Sequence, residues 1–180
     1  MKQHYVMGID NGGTVTKAAI YDRAGNVVAS ASKSTQMLTP KEFHTERDIN
    51  ELWAANVEVI KTALAQSGID ASQIKSVAVT GHGNGLYMVD ETGAPVRNGI
   101  ISTDSRAKGW VEKWYRDPTF VSDILPKTMQ SIWAGQPVAL LAWLKENEPE
   151  ALNNARYIFC LLYTSPSPRD RTRSRMPSSA

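Results

Sequence analysis

The sequence predicts a mixed α/β domain, because short apolar strands with glycine turns, a helical apolar pattern and a further apolar strand follow one another. Of its 180 residues, 42% are hydrophobic and 21% charged, as in globular chains that bury a core without disulfides. No apolar run approaches the roughly 20 residues of a membrane-spanning helix, and no secretory signal opens the chain. We therefore expect a cytoplasmic protein with no membrane partner.

Three strands form the predicted antiparallel β-meander. Apolar residues 6–9 lead into the turn Asp10-Asn11-Gly12-Gly13, and a β-branched strand follows over 15–22. The turn at Gly25-Asn26 then leads to a third strand over 27–31.

A long helix and a buried strand are predicted next. Asp48 is an N-cap with Glu51 three residues on, apolar residues recur at helical spacing, and Gly68 ends the run. The strand over 74–79 runs into the loop Gly81-His82-Gly83-Asn84-Gly85. The order is β-β-β-α-β, which predicts a mixed sheet.

Shorter elements follow. Strands over 86–90 and 100–101 flank a turn at 91–95, and a helix with Trp110 and Trp114 ends before Pro118. Another helix begins near Pro137, and a last strand covers 156–159. The five tryptophans are expected mostly on inner helix faces, with Trp133 the candidate exception.

The first glycine-rich turn is a candidate phosphate site. Glycine lets backbone N–H groups point at an anion, and Asp10 ends the preceding strand, where it could hold magnesium. A dinucleotide fingerprint or a P-loop would need a helix after the turn, and the β-branched residues from Val15 onward exclude it. The alternative is a plain turn in which Asp10 bonds nearby amides.

Two further segments are candidate ligand contacts. His82 and Asn84 lie at the carboxyl end of a predicted strand, where α/β sheets bind ligands, although the loop could equally be a flexible turn. Asp104 could bind a substrate hydroxyl or cap the helix that follows it. Neither segment has histidines or cysteines at zinc-ligand spacing.

The chain after Phe159 has a different composition. Its 21 residues hold four of the 20 basic and one of the 18 acidic residues, which leaves 16 basic against 17 acidic elsewhere. The net charge of +2 therefore gives no reason to expect a nucleic-acid partner. A natural Arg/Ser-rich tail, a cloning remnant and translated non-coding DNA are alternatives.

We favour translated non-coding DNA. Residues 160–165 can be read back as TGT CTC TTA TAC ACA TCT, which resembles a sequencing-library adapter, and residues 175–180 resemble its other end. We thus expect a partial domain over 1–159 and a disordered, adapter-derived segment over 160–180.

Five segments of the chain match motifs of one known protein family and occur in the same order as in that family: 8–17, 46–53, 81–90, 104–106 and 143–150. Together they resemble the amino-terminal part of the FGGY family of carbohydrate kinases, most nearly its L-xylulose kinase type. The resemblance implies a truncated actin-like ATPase, or ribonuclease-H-like, fold that works with ATP and Mg²⁺. It assigns the phosphates and the metal to Asp10, Gly12, Gly13, Thr14, Thr16 and Lys17. The sugar is assigned to His82, Gly83, Asn84 and Asp104.

The resemblance also bears on the substrate. His82 stands where D-xylulose kinases carry Gln and Asn84 where they carry His, so the sugar or its binding geometry should differ. Ser102 replaces a tryptophan of glycerol kinases, which argues against glycerol. We expect the full-length parent to phosphorylate a ketopentose such as L-xylulose, with homodimer formation as an option.

The family's general base, an aspartate further along the chain, is missing, so the fragment itself should be inactive. Two alternatives stay open. One is another actin-like phosphotransferase or ATPase, and the other is a non-catalytic module that binds sugar or phosphate.

Overall fold

The computed structural model describes residues 4–160. Its strands are β1 Tyr5–Asn11, β2 Val15–Tyr21, β3 Val27–Ser34, β4 Glu46–Arg47, β5 Ile74–Gly81, β6 Tyr87–Val89, β7 Gly99–Ile100 and β8 Tyr157–Phe159. Its helices are α1 Ile49–Ser67, α2 Lys108–Tyr115, α3 Pro118–Asp123, α4 Leu125–Thr128, α5 Pro137–Asn147 and α6 Pro149–Asn154. Of the predicted adapter-derived segment only Cys160 is described, and it is buried; the predicted disorder lies outside the described residues.

The first three strands form the predicted antiparallel meander. The sheet order is β3-β2-β1-β5, and β5 runs parallel to β1, so the sheet is mixed as expected. Asp10 pairs with Lys17 on β2 and with Thr80 on β5. The glycine turn therefore lies at the end of the sheet where β5 has its carboxyl end.

Helix α1 covers one face of this sheet. Asp48 caps it as predicted, with Oδ1 accepting hydrogen bonds from Asn50 N at 2.7 Å and Glu51 N at 3.3 Å. The Glu51 carboxylate does not complete a capping box, because it accepts from Gln36 N instead. The core between α1 and the sheet contains Tyr5, Met7, Ile9, Ala18, Ile20, Val59 and Ala63.

Two burial predictions are wrong. Strand β5 is exposed along most of its length, with Val77 56% and Val79 50% exposed, because α1 packs mainly on β2 and β3 and leaves β5 uncovered within the described residues. Trp53 is 73% exposed, since Leu52 and Ala55 occupy the inner face of α1 around it. Both errors arise because local hydrophobicity does not reveal which face a neighbouring element covers.

The later helices pack around a second core that includes Leu86, Met88, Ile100, Ala107, Ile132, Ala139, Leu140 and Leu144. The predicted cap of α2 is wrong, because its N-cap is Ala107 and Asp104 bonds elsewhere. Asp117-Pro118 ends α2 as predicted and also starts α3, with Asp117 accepting from Thr119 N at 2.9 Å. Within residues 4–160, no helix has the length and hydropathy to cross a bilayer.

Candidate functional site

The tip of the β1–β2 hairpin presents free backbone donors. Gly12 N donates to Val15 O at 3.1 Å, and Thr35 N donates to Thr14 O at 3.1 Å. The N–H groups of Gly13 and Thr14 have no acceptor within the described part of the chain, and both residues are exposed. A Cβ on Gly12 would lie 2.9 Å from Val15 O, so the tight turn requires glycine there. Such free, exposed amides suit an anion.

Asp10 and Lys17 lie on the uncovered face of the sheet. Both are exposed, they pair across the two strands, and they line a cavity of about 610 Å³ together with Thr80. Thr16 alternates to the opposite face, where it is fully buried and its Oγ1 donates to Asn11 Oδ1 at 3.2 Å. This buried position does not favour a phosphate contact by Thr16, which stays a prediction.

The loop after β5 begins at the same end of the sheet as the hairpin tip. His82 N donates to Asn11 O at 3.3 Å, which joins this loop to the end of β1. Asn84 and Gly85 have positive φ values of 62° and 73°, and a Cβ on Gly85 would lie 2.4 Å from Ile100 O. Gly83 and Asn84 are half-buried, but neither lines the cavities beside Asp10 or His82.

The His82 ring is held by a buried tyrosine. Tyr87 is fully buried, and its hydroxyl lies 3.1 Å from His82 Nε2. Burial raises the pKa of Tyr87, whereas burial and the nearby Arg47 charge lower the pKa of His82. We assign the Tyr87 hydroxyl as donor to a neutral imidazole, which places the ring proton on Nδ1. Nδ1 is buried and has no partner among residues 4–160.

A second cavity, of about 420 Å³, lies between the hairpin tip and His82. It is lined by Gly13, Thr14, Met37, Thr39, Thr45, His82, Ile101, Ser102 and Thr103. Five of these nine residues carry hydroxyl groups and none carries a carboxylate. Most of the surface that faces the cavity is apolar, but its hydroxyl groups can exchange hydrogen bonds with a polyhydroxylated ligand. The lining offers no carboxylate base to accept a proton.

The two cavities share no lining residue. The structure thus brings Gly13, Thr14 and His82 into one cavity and leaves Asp10 and Lys17 in the other. A ligand that contacted both sets would have to cross the hairpin tip, where a Cβ on Gly12 would be 4.0 Å from the Asp10 carboxylate.

Asp104 belongs to a buried ion cluster with Glu46, Arg97, Arg106 and Glu148. Its carboxylate is fully buried and accepts from Thr45 N at 2.6 Å and from Arg106 Nε and Nη2 at 3.0 and 2.9 Å. Burial alone would lower the pKa of Arg106, but its bonds to Asp104 and Glu46 outweigh burial and raise it. This position does not favour the predicted sugar contact, because these donors already bind the carboxylate; the contact stays a prediction.

The residue that sequence reasoning missed is Arg47. The motif Glu46-Arg47-Asp48 contributed to the family resemblance but received no role. Its side chain is fully buried beneath the hairpin tip, with Nη1 donating to Gly12 O at 3.0 Å. A charged residue beside an N-cap is ordinarily solvent-exposed, so the sequence offered no sign of this burial.

The donor set fits a magnesium ion shared with a ligand. No group of three or more His, Cys, Asp or Glu residues within 4–160 could hold a metal by itself. Mg²⁺ commonly uses one or two carboxylates plus phosphate oxygens and waters as ligands. The exposed Asp10 carboxylate can be one of these ligands.

Stability should fall as the pH drops below about 6.5. Burial is the main cause that lowers the folded pKa of both His82 and His44, so the unfolded chain takes up these protons first. Their contribution is complete above the unfolded pKa of 6.5 and is lost as the pH falls from there through the lower folded pKa values. Urea unfolding at pH 5 to 8 should show this slope, and His82→Gln should reduce it. An unchanged slope in the variant would contradict the assignment.

Comparison with known proteins gives one family model, described as the FGGY family of carbohydrate kinases, N-terminal domain, which matches residues 5–165. A probable L-xylulose kinase of Haemophilus influenzae is 38% identical over 146 residues, 81% of this chain and 30% of that protein. The L-xylulose/3-keto-L-gulonate kinase of Escherichia coli K12 is also 38% identical, over 81% of this chain and 29% of that protein. The chain thus spans about 30% of these relatives' length.

Solved structures give the same fold. The gluconate kinase of Lactobacillus acidophilus superposes with a TM-score of 0.79 at 27% identity, over 87% of this chain and 31% of that one. The structural neighbours are sugar kinases of the actin-like ATPase fold, which confirms the predicted fold class.

Proposed function

Because this chain belongs to the FGGY family of carbohydrate kinases, we propose that it forms the sugar- and phosphate-binding part of an ATP-dependent kinase. The full-length protein would transfer the γ-phosphoryl group of ATP to a hydroxyl of a ketopentose, with L-xylulose the first candidate. The observation that carries the proposal is the hydroxyl-lined cavity, which has the free amides of Gly13 and Thr14 on one side and His82 on the other.

The hairpin would bind the phosphates. Gly13 and Thr14 donate backbone N–H groups to phosphate oxygens, and Lys17 adds positive charge on the Asp10 side. Asp10 would hold Mg²⁺, which neutralises charge on the phosphates when bound. These residues position and neutralise the donor group, which is most of the catalysis that phosphoryl transfer requires.

The sugar would lie against His82. Burial and the nearby Arg47 charge lower the pKa of His82 and favour the neutral ring. The hydrogen bond from Tyr87 fixes the tautomer, so the ring would meet the sugar hydroxyls as an uncharged hydrogen-bonding group. Because no carboxylate lines this cavity, a carboxylate base that accepts the sugar proton would come from outside its lining, and we place it outside residues 4–160. This is consistent with a chain that spans about 30% of its relatives.

The test is a substrate panel with the full-length protein and Mg-ATP. ADP release would be measured with L-xylulose, D-xylulose, L-ribulose, erythritol and glycerol. We expect L-xylulose to give a kcat/KM on the order of tenfold or more above glycerol, because a site built for several hydroxyls loses bonds with a shorter polyol. Sugar-independent ATP hydrolysis would favour another actin-like ATPase. Sugar binding without turnover would favour a non-catalytic module.

A further inference from the structure

Arg47 is a buried cation beneath the hairpin tip of the candidate site. Its side chain is completely buried, yet it forms no ion pair with a carboxylate anywhere in residues 4–160. Burying an unpaired charge costs several kcal/mol, so a neutral residue of similar size would serve packing better. Arg47 therefore has a role beyond packing, and the contacts of its guanidinium group indicate that role.

The guanidinium joins two segments that frame the hairpin tip. Nη1 donates to Gly12 O at 3.0 Å, and Nη2 donates to Thr35 Oγ1. Thr35 in turn donates its backbone N–H to Thr14 O at 3.1 Å. Arg47 thus holds both the turn itself and the residue that anchors the far side of the turn.

The bond to Gly12 fixes the direction of the next amide. The described chain contains no cis peptide bond, and in a trans peptide the carbonyl of one residue and the N–H of the next point in opposite directions. The Gly12 carbonyl points inward to Arg47, so the Gly13 N–H points outward. That N–H has no acceptor in the described chain, and Gly13 lines the 420 Å³ cavity.

We propose that Arg47 is a positioning residue for phosphate binding: by holding the Gly12 carbonyl inward, it aims the Gly13 amide at a phosphate group that the neighbouring Thr14 amide can also reach. This rests on the proposed function, since the phosphate would be that of the nucleotide or of the phosphorylated sugar. The buried charge also adds a positive potential behind the amides, where desolvation strengthens it.

The charge state of Arg47 agrees with this role. Burial lowers the pKa of Arg47, and the nearby Tyr87 and Glu51 partly restore it. An arginine starts so far above neutral pH that it stays protonated. The same charge contributes to the lowered pKa of His82, so its field reaches the loop across the cavity.

The experiment follows individual amides during a titration with inorganic phosphate. The ¹⁵N-labelled 180-residue chain is titrated, and the Gly13 and Thr14 amide shifts are fitted to a Kd. The amides of Gly25 and Gly68, in turns away from the site, report whether the fold is intact. The variants are Arg47→Met, Arg47→Lys and Thr35→Val, with the exposed Lys61→Met on α1 as the matched loss of one positive charge.

We expect phosphate to shift both amides in the wild type and Arg47→Met to raise the Kd roughly tenfold or more, as for a lost charge-assisted contact. Arg47→Lys should also raise it several-fold, because an ammonium cannot copy the planar fork that spans two acceptors. Thr35→Val should lie between these and the wild type. Lys61→Met should stay within about twofold, since a distant exposed charge is screened.

Two results would overturn the proposal. One is a wild type whose Gly13 and Thr14 amides do not respond to phosphate, and the other is an Arg47→Met Kd within twofold of the wild type. If Arg47→Met does not fold, Arg47→Lys and Thr35→Val decide the matter by the same criterion. Failure of the kinase proposal would be seen separately, in the substrate panel, because this titration needs no turnover.

Discussion

Asp10→Asn in the full-length protein should lower kcat by roughly 100-fold to 1,000-fold while the KM for sugar changes by no more than a few-fold. The exposed Asp10 carboxylate is the metal ligand that we propose, and asparagine keeps its size but lacks its charge. Metal and phosphate contacts strengthen as charge moves in the transition state, so their loss appears in kcat.

The geometry explains why sugar binding should be spared. Asp10 lines the cavity on the open face of the sheet, whereas His82 lines the hydroxyl-rich cavity beyond the hairpin tip. A sugar in the second cavity therefore has no direct contact with the Asp10 carboxylate. Steady-state kinetics at several Mg²⁺ concentrations would measure both parameters, and the variant should also need more Mg²⁺ for half-maximal rate.

Asp22→Asn is the matched control. Asp22 lies in the turn at the opposite end of β2, where its carboxylate accepts from Ala24 N at 2.8 Å and Asn26 N at 2.9 Å. The same chemical change there should leave kcat and KM unaltered. An Asp10→Asn enzyme with normal kcat and a raised sugar KM would assign Asp10 to the sugar and refute the metal role.

The parts of the fold set by local chemistry could be predicted from the sequence. The hairpin follows from apolar alternation around a glycine turn, and α1 follows from its Asp48 cap, its helical spacing and the Gly68 stop, where φ is +65°. These signals involve residues only a few positions apart. These local signals predict that the Gly13 and Thr14 amides lie at a tight turn, without reference to any tertiary contact.

The parts set by distant contacts could not be predicted. The sequence predicts that Asp104 caps the next helix or contacts a sugar. In the structure, the pairing of β4 with β7 brings Glu46 next to Asp104 and Arg106, and no local pattern predicts this contact. Arg47 was missed for the same reason, because a buried charge has no signature in a single sequence. Asp10 and His82 lie in different cavities because one face of the sheet is covered and the other is not. The alternation of residues along a strand does not show which face is covered.

Arg106→Met should be the most destabilising single change to the buried ion cluster. The guanidinium is fully buried and holds Glu46 Oε1 at 2.7 Å as well as both oxygens of Asp104. Removing it leaves a buried carboxylate without its cation, which costs on the order of 3–5 kcal/mol. For a domain of this size that corresponds to a drop in Tm of roughly 6–20 °C.

Three further variants separate charge from packing: Lys108→Met, Asp104→Asn, and Asp104→Asn combined with Arg106→Met. Lys108→Met breaks the exposed Lys108–Glu112 pair, 3.8 Å long, and should change stability by no more than about 0.5 kcal/mol. Adding Asp104→Asn to Arg106→Met removes the stranded charge, so the double variant should be more stable than the sum of the two single changes. Urea unfolding of all four variants at pH 7.5 would measure this coupling. Strict additivity would mean that Arg106 and Asp104 stabilise the protein independently, with Arg106 acting through its pair with Glu46 and its contact with the Trp143 ring, 5.1 Å away.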